Sequence, residues 1–109
     1  MELHIKDRIF IPQLLTQQGT FMEFNLKRNI LRKVALTEDD VKKYDIVENE
    51  KEKRTEWNPE KDREMPLVVD FTQDELQYLT KACERVAEAN FPDEFWLTVE
   101  KIYNAAQPQ

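Results

Sequence analysis

The sequence predicts a single α+β domain over residues 1–109, mostly helical, with three N-terminal helices, a small antiparallel sheet and a C-terminal helical hairpin. Three observations support this fold class. Apolar residues recur at helical spacing in both the N-terminal and the C-terminal third. A polar stretch at about 45–64 is followed by an alternating apolar run at 67–71. A chain of 109 residues is long enough for one hydrophobic core.

The first helix is expected over residues 8–15, with Asp7 as its N-cap. Pro12 lacks an amide donor, so we expect it to kink or split this helix. A second helix is predicted over 20–36, because Thr20 can cap it and the apolar residues recur every four positions. Those residues are Met22, Leu26, Ile30 and Val34.

A third, short helix is predicted from Thr37 to about Tyr44, where Leu36 and Val41 have the spacing of a hydrophobic staple. Residues 45–64 then predict a hairpin in which 45–48 pairs with 54–57 across a five-residue loop. The alternative for this segment is a disordered linker. Asn58 and Pro59 favour a helical turn after the hairpin, and the run 67–71 predicts a third strand.

The C-terminal helical hairpin is predicted over residues 72–106. Thr72 and Glu75 form a capping box, and Phe71 with Leu76 completes a hydrophobic staple. The first helix is expected to end near Asn90, and Pro92 suits the start of the second. The two apolar faces are spaced to pack against each other, so this hairpin is predicted to supply much of the core.

The composition excludes most catalytic mechanisms. The chain contains no serine, one glycine, one histidine and one cysteine. A serine nucleophile, a glycine-rich phosphate loop and a four-ligand zinc site are therefore impossible within one chain. The acidic clusters at 38–40 and 93–94 lie where helix N-termini favour carboxylates, so they do not predict a metal site. We expect no enzyme activity, no cofactor and no metal.

The same composition predicts a cytoplasmic protein. No apolar run approaches the ~20 residues that a membrane span requires, and the first residues lack the pattern of a secretory signal. Cys83 has no second cysteine with which to form an internal disulfide, which agrees with a reducing compartment and a packing role.

Four residues are candidates for partner binding. Trp57 lies among polar residues on the predicted hairpin, where a half-exposed indole could anchor a partner, although core packing is the alternative. Lys27, Arg28 and Arg32 make residues 23–36 basic in a chain of net charge −6. They could meet phosphate or an acidic partner, although an ordinary solvated helix face is the alternative.

The chain resembles a group of short proteins from tailed phages and prophages that have no established activity. The resemblance spans most of the chain and rests on these segments: Ile5-Lys6-Asp7-Arg8, Gln18-Gly19-Thr20-Phe21, Tyr44-Asp45-Ile46, Trp57-Asn58 and the closing helical hairpin. It implies a phage-borne protein acting inside a bacterial host. It implies no catalytic or binding residues.

These observations favour a noncatalytic module that binds a host or phage protein. The first alternative is a nucleic-acid binder resembling a winged helix, with three helices followed by a hairpin. The net charge of −6 and the acidic third helix oppose it, so nucleic acid is an unlikely partner on this interpretation. The second alternative is an acidic decoy of a DNA-binding protein. The oligomeric state does not follow from the sequence.

Overall fold

The computed structural model describes residues 1–107 and confirms a mostly helical α+β fold. Six helices and four short strands occur in this part of the chain. In chain order they are β1 (Glu2–Leu3), α1 (Ile5–Leu14), α2 (Phe21–Val34), α3 (Glu38–Lys43), β2 (Val47–Asn49), β3 (Arg54–Glu56), α4 (Pro59–Glu64), β4 (Leu67–Val68), α5 (Gln73–Val86) and α6 (Asp93–Ala106).

The strands form two separate two-stranded antiparallel sheets, where the sequence predicted one. Strand β2 pairs with β3, and β1 pairs with β4. The run at 67–71 is therefore a strand only over its first two residues, and its partner is the N-terminal segment, with Leu3 opposite Leu67. The amide of Val69 extends this pairing by donating to the carbonyl of Met1.

Helix α1 begins three residues earlier than predicted, and Asp7 is not its N-cap. His4 is the cap residue, and its backbone N–H donates to the Asp7 carboxylate at 3.0 Å. The next amide, that of Ile5, donates to Asp62 in α4 at 2.9 Å. These two amides at the helix start, which lack acceptors within the helix, are thus satisfied by buried carboxylates. Pro12 does not split the helix, which continues for two more residues.

The predicted threonine caps are confirmed at α2, α3 and α5. In each, the hydroxyl accepts from the amide three residues on, and the acidic residue there accepts from the threonine amide. Helix α4 follows Asn58, whose side chain accepts from two amides, as expected for an Asn-Pro start.

The β2–β3 hairpin forms as predicted, but its register is shifted by one residue. Val47 faces Glu56 and Asn49 faces Arg54, so the loop has four residues where five were expected. Lys53 closes the loop with φ 53°, in the left-handed region where glycine is usual. Residues 45–64 are accordingly a hairpin and a helix, not a disordered linker.

The core lies where α1 packs against α5 and α6, and α2 packs against both α5 and α1. Leu79, Phe95 and Ile102 are fully buried there, as predicted for the C-terminal hairpin. Phe95 stacks on Phe91 with ring centroids 4.1 Å apart and meets Phe10 edge-on at 5.5 Å. This aromatic cluster joins α1 to α6.

Asp7 ties the start of α1 to α6 as well. Its carboxylate accepts from the hydroxyl of Thr98 at 2.6 Å and from the ammonium group of Lys101. Burial opposes ionisation of Asp7, but these hydrogen bonds, the His4 amide and the charge of Lys101 outweigh it, so its pKa lies below the ordinary value.

We therefore expect acid to destabilise the protein partly through Asp7. A lowered folded-state pKa gives stability that is present above the unfolded pKa and is lost as the pH falls through the folded pKa. Urea melts at about pH 7 and about pH 3 should show that Asp7→Asn loses less stability on acidification than the parent. Asp39→Asn, at an exposed position in α3, is the control and should keep the parent's dependence on pH. Equal losses in the parent and in Asp7→Asn would contradict this prediction.

Candidate functional site

Three exposed apolar residues lie on one side of α2. Phe21, Phe24 and Leu31 are 78%, 50% and 40% exposed, and their spacing of three and seven residues places them on one side of the helix. Arg28 and Arg32 are exposed on the same side. We call these five residues the outer face of α2.

The opposite side of α2 holds the helix on the body of the protein. Ile30 and Val34 are fully buried, Leu26 packs against the core, and α2 contacts α5. Lys33 donates to Glu75 in α5 at 2.6 Å and to the carbonyl of Asp70 at 2.9 Å. Because the inner side is fixed in this way, the outer face is presented to solvent on a rigid helix.

The two arginines of the outer face remain available to a partner. The guanidinium of Arg28 lies over the ring of Phe24, 5.3 Å from its centroid, and donates to the side-chain oxygen of Asn25 at 3.0 Å. Within residues 1–107, neither Arg28 nor Arg32 has a carboxylate at ion-pair distance. Exposed phenyl rings beside unpaired guanidinium groups are typical of protein-binding surfaces.

Lys27 does not belong to this face, so the predicted stripe of Lys27, Arg28 and Arg32 is corrected. Lys27 is 9% exposed, and its ammonium group donates to the carbonyls of Thr16 at 2.9 Å and Gln18 at 3.4 Å. Its position on the helix turns it towards the segment between α1 and α2. Lys27 therefore holds that segment in place, and Arg28 and Arg32 are the two cations that the outer face presents to a partner.

Trp57 lies between β3 and α4 and is half-buried. It lines two adjoining clefts of about 670 and 720 Å³ beneath the hairpin. Three of the four lysine and arginine side chains that line these clefts pair with carboxylates: Lys6 with Glu94, Lys101 with Asp7, and Arg54 with Glu52 and Glu56. The fourth, Lys53, has no carboxylate at ion-pair distance within residues 1–107. The clefts therefore offer an indole edge but little free charge for an anion.

Cys83 lies outside the outer face and the two clefts, in surroundings that disfavour its thiolate form. Burial raises the pKa of the Cys83 thiol to about 11, and the thiol lies against the carbonyl of Val99. A thiol with so high a pKa is a poor nucleophile near neutral pH. In the part of the chain that the structure describes, no three His, Cys, Asp or Glu side chains are grouped so as to hold a metal ion.

None of the helices described within residues 1–107 is long and apolar enough to cross a membrane. No protein-family model, curated protein or solved structure matches the chain.

Sequence reasoning missed the apolar part of the outer face. It followed the row Met22, Leu26, Ile30 and Val34, of which Met22 proves to be exposed. The signal for the second row was present, because Phe21, Phe24 and Leu31 fall together on a helical projection. A helix with apolar residues on two opposite sides is either fully buried or exposes one of those sides to bind a partner.

Proposed function

We propose that this chain is a noncatalytic protein-binding module that engages a host or phage protein in the bacterial cytoplasm through the outer face of α2. The supporting observation is the exposure of Phe21, Phe24 and Leu31 beside two unpaired arginines. Contiguous exposed apolar groups usually mark an interaction site, and aromatic and arginine side chains carry much of the binding energy at such sites. The phage origin rests on the resemblance of the sequence.

The charge of this face indicates an acidic or amphipathic partner. The chain has net charge −6, yet both charged residues of the outer face, Arg28 and Arg32, are positive. An apolar stripe edged by guanidinium groups is complementary to an apolar stripe edged by carboxylates. The winged-helix alternative receives less support, because α3 begins with Glu38, Asp39 and Asp40 and would repel DNA phosphates.

Serine substitutions at Phe24 and Leu31 test this proposal. The parent should capture a defined partner from host cells by affinity purification with mass spectrometry, and the double variant should lose that partner while keeping its urea midpoint. Each exposed apolar residue contributes little to folding but can supply about 2 kcal/mol or more of binding at the centre of an interface.

Leu97→Ser is the matched control, since Leu97 is also apolar and exposed but lies on α6. It should retain the partner. Trp57→Ala is tested in the same way. If Trp57→Ala loses the partner and the double variant of α2 keeps it, the binding surface lies at the hairpin clefts and not on the outer face. Tight binding of duplex DNA at physiological salt, abolished by glutamate at Arg28 and Arg32, would overturn the proposal in favour of the nucleic-acid alternative.

A further inference from the structure

A groove of about 350 Å³ runs between α2 and α5, next to the outer face. We call it the α2–α5 groove. Helix α2 contributes Met22, Glu23, Asn25, Leu26 and Asn29, and α5 contributes Asp74, Gln77, Tyr78 and Lys81. The groove therefore combines apolar, carboxamide and charged side chains with the ring of Tyr78.

Tyr78 is the unexplained residue of this groove. It is 5% exposed, and its hydroxyl oxygen is buried with no hydrogen-bond partner among the described residues. A buried tyrosine hydroxyl usually finds a partner, since leaving it unpaired is unfavourable. Phenylalanine would fill the same core position without that penalty. The hydroxyl is therefore not explained by folding.

The surrounding side chains indicate which ligand could pair with it. Asn29 and Gln77 form no side-chain hydrogen bond within residues 1–107, so both carboxamides can donate and accept. Glu23 and Asp74 outnumber the cation Lys81, which disfavours a phosphate or a carboxylate. A carboxamide can donate to the C=O and accept from the N–H of a peptide group, and Met22 and Leu26 offer contact to an apolar side chain.

We infer that the α2–α5 groove binds a main-chain peptide group of an extended segment in the partner protein, with the Tyr78 hydroxyl hydrogen-bonded to that group. The inference rests on the proposed protein-binding function and adds to it the chemistry recognised beside the outer face. The hydroxyl oxygen is buried in the absence of a ligand, so binding requires side chains of the groove to rearrange.

The probe for this inference is N-acetyl-L-leucine methylamide, a minimal peptide unit with one apolar side chain. Titrated into the isotope-labelled chain, it should shift the NMR signals of the Asn29 and Gln77 side-chain amides in a saturable way. Tyr78→Phe should weaken the apparent Kd by about tenfold, the loss expected for one hydrogen bond of typical strength. The same variant should melt at the parent's temperature or higher, because it removes an unpaired buried hydroxyl.

Tyr44→Phe is the matched control. The Tyr44 hydroxyl is also on a buried ring, but it donates to the carbonyl of Met65. This variant should lower the melting temperature and leave the peptide affinity unchanged. Tyr78→Phe should therefore weaken peptide binding without lowering the melting temperature, whereas Tyr44→Phe should lower the melting temperature without weakening peptide binding.

Three outcomes would overturn the inference: no saturable shift at the two carboxamides, an unchanged Kd in Tyr78→Phe, or a melting temperature of Tyr78→Phe that falls as far as that of Tyr44→Phe. The last outcome would mean that the Tyr78 hydroxyl is satisfied inside the fold. None of them depends on the capture experiment with Phe24 and Leu31, so a failure of the groove is distinguishable from a failure of the protein-binding function.

Discussion

Replacing Leu79 with alanine is expected to lower the free energy of unfolding by about 2 to 5 kcal/mol. Leu79 is 0% exposed and belongs to the core cluster on α5, the helix that packs against α1, α2 and α6. Alanine removes the packed methyl groups and leaves a cavity that rigid neighbouring helices cannot close. In a domain of this size such a loss is a large fraction of the total stability.

Leu97→Ala is the control for this effect, because Leu97 is 67% exposed on the neighbouring helix α6. It removes the same atoms from a site in contact with water and should change the free energy of unfolding by less than about 0.5 kcal/mol. Urea melts of both variants give the comparison. Similar losses in the two variants would mean that α5 is not the centre of the core.

The fold was predictable where local signals and packing agree. Thr20, Thr37 and Thr72 each precede an acidic residue by three positions, and each begins a helix as predicted. The C-terminal hairpin was predictable because the apolar spacing of α5 and α6 is long and regular. These signals act over a few residues, so the sequence displays them directly.

What could not be predicted depends on contacts that are distant in the sequence. Strand β1 exists because Glu2 pairs with Val68, and two residues carry no strand signal of their own. The early start of α1 depends on Asp62, which accepts from the amide of Ile5 although 57 residues separate them. The hairpin register depends on Lys53 adopting a positive φ, which its side chain does not favour.

The candidate site was predictable only in part, for the same reason. Arg28 and Arg32 are exposed, as expected of charged residues opposite an apolar row. Lys27 is not, because the carbonyls that its ammonium group contacts belong to Thr16 and Gln18, in a turn whose path the helix pattern does not specify. Its long apolar stem also allows a lysine to be buried while its ammonium group is satisfied.

Arg8 is the residue whose importance the sequence conceals most. Its side chain is buried, and its guanidinium donates to the carbonyls of Val34 at 3.0 Å and Ala35 at 2.6 Å and to the carboxylate of Asp40 at 2.7 Å. Those carbonyls close the C-terminus of α2, where helix acceptors lack intrahelical partners and cations are favoured. Asp40 lies in the first turn of α3. One side chain therefore joins α1, α2 and α3.

Arg8→Met is expected to lower the free energy of unfolding by about 3 to 5 kcal/mol, the range found when one partner of a buried ion pair is removed. Methionine retains much of the apolar stem but leaves the two carbonyls without this donor and the Asp40 carboxylate without its cation, with only the hydrogen bonds from Thr37 remaining. Arg8→Lys should recover only part of the loss, because one ammonium group cannot reproduce the fork of a guanidinium. Urea melts at neutral pH measure both variants. A loss below about 1 kcal/mol for Arg8→Met would contradict the structural role.

A double-mutant cycle with Asp40→Asn separates the ion pair from the contacts to the α2 carbonyls. If the pair is coupled, the double variant should be more stable than the sum of the two single losses predicts, because the second substitution removes a carboxylate that already lacks its partner. Burial opposes ionisation of Asp40, but hydrogen bonds from Arg8 and Thr37 and the charge of Arg8 outweigh it, so its pKa is lowered. Its contribution is present above the unfolded pKa and is lost as the pH falls through the folded pKa. Removing the guanidinium should raise that folded pKa, so Arg8→Met should lose less stability than the parent between about pH 7 and about pH 3. If the two lose equally, Arg8 stabilises the fold through the α2 carbonyls and not through Asp40.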